Sequence, residues 1–462
     1  MSDVNFRHLS VLVADDFSNF RSTVTSMLNR FGVTDTEAVA TGEDVLVACR
    51  KRRYDLILCD YELGEGRNGQ QVLEELRFRG IIDGTTLFVM VSADATKDAV
   101  MCAYDCEPDD YLMKPITAKI LKVRVKRLLD IRQKLMPAHK ALANQERDKA
   151  IRILIDLSLA DHRSAMQAQK LLGEQFIAAG DYSKAEKLYT KALEVRQVDW
   201  ARLGLCRVKL LKGELEAAGE WLEQIVQDNP LYLPAYDVIA QNWHQQGDQR
   251  QVQAAVQRSV NISPKSILRQ KHLADVSERN GDLRTALNAL RATMRLGQLS
   301  CHASANDHLN FARVSASAIQ QEMEPPELLA PEAFDAITQA RQRFNLSNEE
   351  DLLASAMDGV HHAALGHREK AMDAIAKCGS ENENESLDMS LARVALHQAL
   401  GEEDKAKALI EVLIERYEED QDALERIDAL LPEPVSEQNR AFVTSINAEG
   451  IQLYNQQHYE LR

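Results

Sequence analysis

The sequence has few of the residues that mark secreted, disulfide-linked or membrane-spanning proteins. Its 462 residues include 7 cysteines, an odd number scattered along the chain, which is typical of reduced thiols. No apolar run approaches the length of a membrane span, and the early run Val11–Ala14 is too short for a secretory signal. We therefore predict a cytoplasmic location and no binding to membranes.

Positive charge is also scarce. Lysine plus arginine number 55 against 71 aspartate plus glutamate, which gives a formal net charge of −16. This balance disfavours broad binding to nucleic acids or to anionic membranes. The apolar share of 45% and the charged share of 27% indicate globular domains, and the length predicts roughly three of them, or fewer if part of the chain is a repeat array.

The first 130 residues alternate between short apolar runs and segments with helical periodicity. This alternation predicts an α/β fold with a doubly wound, five-stranded parallel sheet. In such sheets functional residues gather at the carboxyl ends of the strands. The predicted strands are Leu9–Ala14, Glu37–Ala40, Tyr54–Asp60, Thr86–Val91 and Asp110–Met113.

Charged and polar side chains follow the predicted strands at the points where these end. Asp15, Asp16 and Asp60 are acids, Ser92 brings a hydroxyl and Lys114 an amine. Carboxylates that are crowded together repel one another unless a divalent cation lies between them. Mg²⁺ prefers oxygen ligands of this kind and readily bridges carboxylates to a phosphoryl group. The sequence therefore predicts a magnesium site at this edge of the sheet.

These residues resemble the receiver domain of two-component response regulators, a flavodoxin-like fold, over roughly residues 8–130. The resemblance rests on Asp15-Asp16 after the first strand, Asp60 after the third, Ser92-Ala93 after the fourth and Tyr111-Leu-Met-Lys114-Pro115 at the fifth. It implies that Asp60 is the nucleophile, which takes a phosphoryl group from a histidine kinase or a phosphotransfer protein. The alternative is a degenerate receiver in which Asp60 is never phosphorylated.

The resemblance also assigns roles around Asp60. Mg²⁺ would be held by Asp15, Asp16, Asp60 and the backbone carbonyl of Glu62. Ser92 would turn toward the new phosphoryl group and Tyr111 would move into the vacated space, so that these two act as switch residues, while Lys114 would bridge to the phosphate. For Tyr111, an ordinary position at the sheet edge is the alternative.

A helical connector is predicted over residues 131–165. The helix Ile116–Leu135 carries basic side chains that are either a solvated face or a contact surface, since the matching face in many receivers forms dimers. We predict that Pro137 breaks this helix and that a second helix covers Ala141–Leu159. Nothing here resembles a DNA-recognition helix or a nucleotide-binding loop.

The rest of the chain repeats itself. Gly180, Gly213, Gly247 and Gly281 are each followed by an acidic residue and are 33 to 34 residues apart, which resembles tetratricopeptide repeats. We predict four repeats over residues 166–300, followed over 301–462 by degenerate and further repeats. The last of these looks truncated after Asn447–Tyr459.

A superhelix of such repeats offers a concave groove whose usual work is to bind a protein or peptide. Apolar and charged residues on the first helices are predicted to line it, which would suit an amphipathic segment. For Trp200, Leu203 and Leu210 the alternative is packing between neighbouring repeats. The predicted groove residues are Lys170, Trp200, Leu203, Arg207, Leu210, Asp237, His244 and Lys271.

Together these features predict a response regulator whose output is protein binding by the repeats, and not an enzyme with a substrate of its own. One alternative is a scaffold, indifferent to phosphorylation, in which the receiver serves as a docking or dimerisation module and the chain can form a homodimer. Another is a trap in which the repeats bind other two-component proteins.

Overall fold

The computed structural model describes residues 6–93, 107–160, 164–379 and 385–428, together with 430, 431, 435, 436 and 440. The chain divides into two compact units. The first comprises Met1–Gln270 and Leu296–His302, and the second comprises Lys271–Arg295 and Ala303–Arg462. The helix predicted near Thr96–Tyr104 and the predicted terminal helix Asn447–Tyr459 lie outside the described residues.

A five-stranded sheet with all strands parallel forms the front of the first unit, as the sequence predicts. The strand order is β2-β1-β3-β4-β5. The central strand β3 is buried along its whole length because strands pair with it on both sides and helices cover both faces. The strands are β1 (Ser10–Ala14), β2 (Asp35–Val39), β3 (Leu56–Asp60), β4 (Leu87–Ser92) and β5 (Asp110–Met113).

Alternate residues of the strands point to opposite faces of the sheet and form two apolar clusters. Leu12, Ile57 and Phe88 belong to one cluster, whereas Val13 and Leu58 belong to the other. The helices of this part are α1 (Ser18–Arg30), α2 (Gly42–Lys51), α3 (Gly69–Phe78) and α4 (Ala118–Ala143), after a short 3₁₀ turn at Phe6–His8.

The start of α3 is specified by a capping box. The Asn68 side chain accepts from the backbone N–H of Gln71 at 2.9 Å, and the Gln71 side chain accepts from the backbone N–H of Asn68 at 3.1 Å. Two backbone donors that the helix leaves unpaired are thereby satisfied. The helix therefore begins directly after the loop that follows β3.

The prediction that Pro137 breaks the helix is wrong. Helix α4 is 26 residues long and continues through Pro137 to Ala143. Proline removes one backbone hydrogen bond from a helix interior. Leu135 and Ala138, on either side of Pro137, are buried with the apolar residues of the following helices, and this packing keeps the segment helical.

Helix α4 takes part in two cores. Its first half places Leu121 and Val125 in an apolar cluster of the sheet, and its second half places Leu135 and Ala138 in the first cluster of the helical region. Between these, Arg132 donates to the backbone oxygens of Asp55 and Thr85 at 2.7 and 2.6 Å. The predicted boundary at residue 130 therefore falls inside a continuous helix.

The helical region that follows α4 is built of successive helix pairs. Gly180, Gly213, Gly247 and Gly281 stand in the turns within the pairs and have φ between +73° and +80°, a conformation that glycine adopts without steric cost. The 33 to 34 residue period is thus the spacing of these turns. The helices are α5 (Arg147–Leu159), α6 (Ala165–Ala178), α7 (Tyr182–Val195), α8 (Asp199–Leu211), α9 (Leu215–Asp228), α10 (Leu233–Gln245), α11 (Gln249–Ile262), α12 (Ile267–Arg279) and α13 (Leu283–Leu296).

Helix pairs continue through the second unit. Gly366 and Gly401 again have positive φ, at +79° and +74°. His361 is fully buried, with Nδ1 2.8 Å from the backbone oxygen of Met357 and Nε2 3.0 Å from Ser315 Oγ. The helices are α14 (Ala305–Gln320), α15 (Pro326–Arg343), α16 (Asn348–Ala364), α17 (Arg368–Cys378), α18 (Leu387–Ala399), α19 (Glu403–Arg416) and α20 (Gln421–Asp428). Among the described helices, none is both long and apolar enough to cross a membrane.

Candidate functional site

Three carboxylates meet at the carboxyl edge of the sheet. Asp15 and Asp16 follow β1 and Asp60 ends β3, and one carboxylate oxygen from each lies within 4.8 Å of the other two. Asp15 is fully buried and Asp60 is 5% exposed, whereas Asp16 is exposed. Because these oxygens come from strands that pair directly, the parallel sheet itself brings the acids together.

Lys114 supplies the cation beside the acids. Its Nζ lies 2.7 Å from Asp15 Oδ2 and 2.7 Å from Asp60 Oδ2. The backbone N–H of Lys114 donates to the backbone oxygen of Ser92 at 2.8 Å, so β4 and β5 position the lysine. The ring centroid of Phe20 on α1 lies 4.3 Å from Nζ, which adds a cation–π contact.

The ionisation of Asp60 reflects opposing effects. Burial raises the pKa of the Asp60 carboxyl to about 6, although the hydrogen bond and charge of Lys114 act to lower it. Burial by itself would lower the pKa of Lys114, but its hydrogen bonds to Asp15 and Asp60 raise that pKa above its ordinary value. At neutral pH the site therefore holds an ionised Asp60 beside a protonated amine.

The donor set fits Mg²⁺. Asp15, Asp16 and Asp60 offer three hard oxygen donors close together, and Lys114 carries a single positive charge against three negative ones. A divalent cation would balance the remaining charge, and one or two carboxylates with several waters are its usual ligands. The three acids predicted from the sequence as metal ligands are thus brought together by the fold.

The loop after β3 returns closely to the site. Tyr61 N–H donates to the Val91 oxygen at 2.7 Å, and Gly69 N–H donates to the Tyr61 oxygen at 2.8 Å. A Cβ atom at Gly69 would lie 2.2 Å from the backbone oxygen of Asp60, so only glycine fits this close approach. Glu62, the proposed carbonyl ligand, lies in this loop with an exposed side chain.

The two predicted switch residues occupy neighbouring strands. Ser92 is 2% exposed at the end of β4, one residue beyond the partner of Asp60 in the ladder. Tyr111 on β5 is half-buried and packs against an apolar cluster of the sheet. Both lie on the strands beside the acidic cluster, while their roles as switches stay predictions.

Sequence reasoning missed Arg21 and Phe20. Arg21 Nη1 donates to the backbone oxygens of Asp15 and Asp16 at 2.6 and 3.0 Å, and thereby holds the turn that carries both acids. In the sequence, Phe20 shows only the spacing of an apolar residue on the helix that became α1, and nothing there indicates its contact with Lys114. A signal was present for Arg21, since a cation one helical turn after two acids can return to their backbone.

The predicted groove residues on α8 are divided between the core and the surface. Leu203 and Leu210 are each 3% exposed, so their prediction as groove-lining residues is wrong and the packing alternative holds for them. Trp200 is half-buried, with its ring 6.0 Å from that of Tyr189 in an edge-on contact, and also contributes to packing. Arg207 is exposed.

The remaining predicted groove residues are polar or charged, and they are exposed except for Lys271, which is half-buried. Asp237 is paired with Arg269, and Lys271 lies 2.8 Å from Asp307 within the second unit. The others are His244, which is exposed, and Lys170, whose Nζ lies 4.0 Å from Glu107 Oε1 in the loop before β5.

Comparison with known proteins identifies two regions of the chain. Residues 11–126 match the family model of the response regulator receiver domain, and residues 176–241 match a tetratricopeptide repeat model. The chain thus contains a receiver domain followed by a tetratricopeptide repeat region.

Relatives cover the receiver part of the chain. The transcriptional regulatory protein CiaR of Streptococcus pneumoniae is 36% identical over 121 residues, which are 26% of this chain and 51% of CiaR. The chemotaxis protein CheY of Pseudomonas aeruginosa is 25% identical over 122 residues, 26% of this chain and 97% of CheY. The chain therefore spans about half the length of CiaR and nearly all of CheY.

Solved structures of receiver domains are similar over the same region. A response regulator receiver domain from Methanospirillum hungatei JF-1 is 25% identical, with a TM-score of 0.25, and covers 27% of this chain and 98% of its own. The BeF3-activated DrrB receiver domain is 24% identical, with a TM-score of 0.24, and covers 26% and 97%.

Proposed function

We propose that this chain is a two-component response regulator in which Asp60 accepts a phosphoryl group and the repeats bind a protein partner. The observation that carries the proposal is the position of Lys114 Nζ, 2.7 Å from both Asp15 and Asp60 in a cluster of three acids. A cation between buried carboxylates keeps the nucleophile ionised and can later contact a phosphoryl oxygen.

The proposed reaction is a transfer from phosphohistidine to Asp60. A carboxylate oxygen of Asp60 attacks phosphorus, a P–O bond forms, and the P–N bond to the donor histidine breaks. The imidazole keeps the electron pair of the broken bond. Asp15, Asp16, Asp60 and the backbone carbonyl of Glu62 would hold Mg²⁺, which would supply positive charge to the phosphoryl oxygens. Lys114 remains protonated throughout and stabilises the product by a hydrogen bond.

The signal is proposed to arise because the phosphoryl group enlarges the Asp60 side chain and adds negative charge and acceptor oxygens to it. Ser92 donates a hydrogen bond to a phosphoryl oxygen, and Tyr111 follows into the space that Ser92 leaves. Hydrolysis of the acyl phosphate by water ends the signal. The chain is therefore proposed to act as a signalling adaptor and not as an enzyme that turns over a substrate.

The experiment measures phosphoryl incorporation by intact-protein mass spectrometry, with acetyl phosphate as donor and Mg²⁺ present. We expect one phosphoryl group per chain in the unmodified protein and in Asp156→Asn, which alters an exposed aspartate on α5. Asp60→Asn is expected to abolish labelling, and chelation of Mg²⁺ to reduce it strongly. Equal labelling of Asp60→Asn and the unmodified protein would exclude the proposal.

Sedimentation then separates a switch from a phosphorylation-independent scaffold. A response regulator is expected to change its sedimentation coefficient, oligomeric state or partner affinity when beryllofluoride, a phosphoryl mimic, occupies the site. A scaffold that uses the receiver only for docking or dimerisation would bind the mimic without such a change.

A further inference from the structure

Helix α3 of the receiver contacts the segment that follows α13. Phe78, the last residue of α3, is 63% exposed, yet its ring centroid lies 5.0 Å from that of His302, with the ring planes at 73°. Such an edge-on pair is a favoured aromatic geometry. Both residues belong to the first compact unit, so the receiver meets the helical region here through a side chain that would otherwise face solvent.

The neighbouring residue Cys301 extends this contact along α3. Burial, together with the negative charges of Glu74 and Glu75, raises the pKa of the Cys301 thiol to about 11. Cys301 and His302 thus both lie near the last turn of α3, His302 by its ring contact with Phe78 and Cys301 close enough to feel the charges of Glu74 and Glu75. Among the cysteines in the described part of the chain, Cys301 is half-buried and the other four are buried.

The same turn of α3 is tied to the loop after Asp60. The Glu75 side chain is 2% exposed and lies 3.0 Å from Arg67 Nε and 2.8 Å from Arg79 Nε. The contact with Arg67 is an ion pair and not a well-directed hydrogen bond. Arg67 Nη1 also lies 3.0 Å from Glu43 Oε1.

Arg67 belongs to the same loop as the residues beside the acidic cluster. A Cβ atom at Gly64 would lie 3.9 Å from Asp16 Oδ2, and Glu62 precedes it in this loop. A buried carboxylate such as Glu75 is costly unless its cations stay near it. Arg67 is one of three arginines around Glu75, with Arg50 and Arg79, so a shift of the loop that moves Arg67 favours a movement of Glu75 and its helical turn in the same direction.

We propose that α3 couples the Asp60 site to the repeats, with the segment 297–302 as the surface that reads it. The proposal deepens the proposed function and rests on it. The route runs from the loop after Asp60 through Arg67 and Glu75 to Phe78 and His302.

The test uses the thiol of Cys301 as a reporter in the full-length protein. The rate of alkylation by N-ethylmaleimide is followed at this residue by peptide mass spectrometry, with Mg²⁺ alone and with Mg²⁺ plus beryllofluoride. Fluorine NMR shows independently whether beryllofluoride is bound. We expect its binding to change the Cys301 alkylation rate at least threefold.

Substitutions then locate the coupling. Phe78→Ala and His302→Ala are each expected to raise the basal alkylation rate and to remove the response to beryllofluoride, and the double variant should behave as the single ones do. Arg67→Ala should keep the basal rate and lose the response. Leu159→Ala, which truncates a side chain 70% exposed on α5, serves as the matched control and should retain the unmodified response.

An unchanged alkylation rate at Cys301 while fluorine NMR shows bound beryllofluoride would overturn the proposal and leave the proposed function intact. A normal response in Phe78→Ala or Arg67→Ala would overturn it as well. If no beryllofluoride binds, the proposed function fails instead. A Mg²⁺ titration of the Cys301 rate then decides the coupling, because metal binding at the acids acts on the same loop, and a flat titration counts against it.

Discussion

The receiver sheet and the helical repeats differ in how far apart in sequence their contacting residues lie. In the receiver, Leu58 pairs with Val13 on one side and Val89 on the other. In the first repeats, Tyr189 fills the space left by Gly173 and Gly204, where a Cβ atom would lie within 2.6 Å of its ring. The sheet therefore collects side chains from distant segments, whereas each repeat contacts its neighbours in the chain.

This difference explains why the acidic cluster is the better-defined site. Asp15, Asp60 and Lys114 are brought together only by the completed sheet. The position of each of these side chains is therefore set by the same strands that position the other two. Tetratricopeptide surfaces are built by adjacent helices, and a change in one repeat affects only the repeats beside it. A repeat sequence thus identifies a binding surface more readily than it identifies the partner.

The largest loss of folding stability is expected when the same substitution is made in each of the two regions. Phe88 on β4 and Phe311 on α14 are both fully buried, and truncation of either to alanine should cost about 3–5 kcal/mol of folding stability. Phe88→Ala should speed amide hydrogen exchange throughout the sheet, because its strands open together. Phe311→Ala should speed exchange mainly in α14 and the helices next to it.

Hydrogen exchange measured by mass spectrometry at peptide resolution checks this comparison. Uniformly faster exchange across the second unit in Phe311→Ala would contradict the view that the repeats are locally stabilised. Protection retained in β1 and β3 of Phe88→Ala would contradict the cooperative sheet.

A smaller effect concerns charge. Lys114→Gln leaves Asp15 and Asp60 buried without their cation, which should cost roughly 3 kcal/mol. Mg²⁺ should restore part of this loss, because it binds the folded state and neutralises the same acids. Lys187→Gln, at an exposed position on α7, should change stability by less than about 0.5 kcal/mol.

Urea unfolding of the receiver with and without Mg²⁺ measures these differences. The decisive result is the gain in stability from Mg²⁺, which should be larger in Lys114→Gln than in the unmodified protein. An equal gain in both proteins would mean that Lys114 and Mg²⁺ do not neutralise the same carboxylates.

The smallest effect is a pH dependence of the second unit. Burial lowers the pKa of His361 below its ordinary value, although its hydrogen bond to the Met357 oxygen opposes this. The unfolded chain therefore binds a proton first as the pH falls below about 6.5, and stability declines from there toward the folded pKa. One such group contributes a slope of at most about 1.4 kcal/mol per pH unit.

Thermal unfolding between pH 7.5 and 5.5 tests this expectation. His361→Gln, which retains hydrogen-bonding groups, should show a shallower decline than the unmodified protein. His8→Gln alters an exposed histidine and should leave the slope unchanged. A slope unaltered in His361→Gln would assign the pH dependence to other groups, such as the buried His308.

Much of the receiver could be predicted because its signals are local while their meeting point is set by topology. A buried apolar run that ends in an acid marks both the strand and the site, as at Asp60, and parallel strands place such ends at one edge. The ion pairs of Glu75 could not be predicted in this way. Arg79 follows Glu75 by one helical turn, but the other two partners, Arg50 and Arg67, lie on other segments and stand in no strand or helix period with it.

The period of the repeats could be predicted from the sequence, but not which of their side chains line the groove. Glycines such as Gly180 mark the turns because the backbone there needs a positive φ. Whether a first-helix residue faces the groove or the next repeat depends on the small rotation between helix pairs, which the sequence does not express. Leu203 and Leu210 were misplaced for this reason. Pro137 was misjudged because tertiary packing outweighed a local helix-breaking preference.

Helix α4 also constrains how the two cores can change in evolution. Each residue added to an α-helix rotates all that follows by about 100° and advances it by about 1.5 Å. An insertion of one residue between Leu129, which packs on the sheet, and Leu135, which packs on the repeats, would therefore turn one core away from the other. Only insertions or deletions close to a whole number of helical turns keep Leu129 and Leu135 directed toward their own cores. The length of this helix can therefore change only in steps of about one turn.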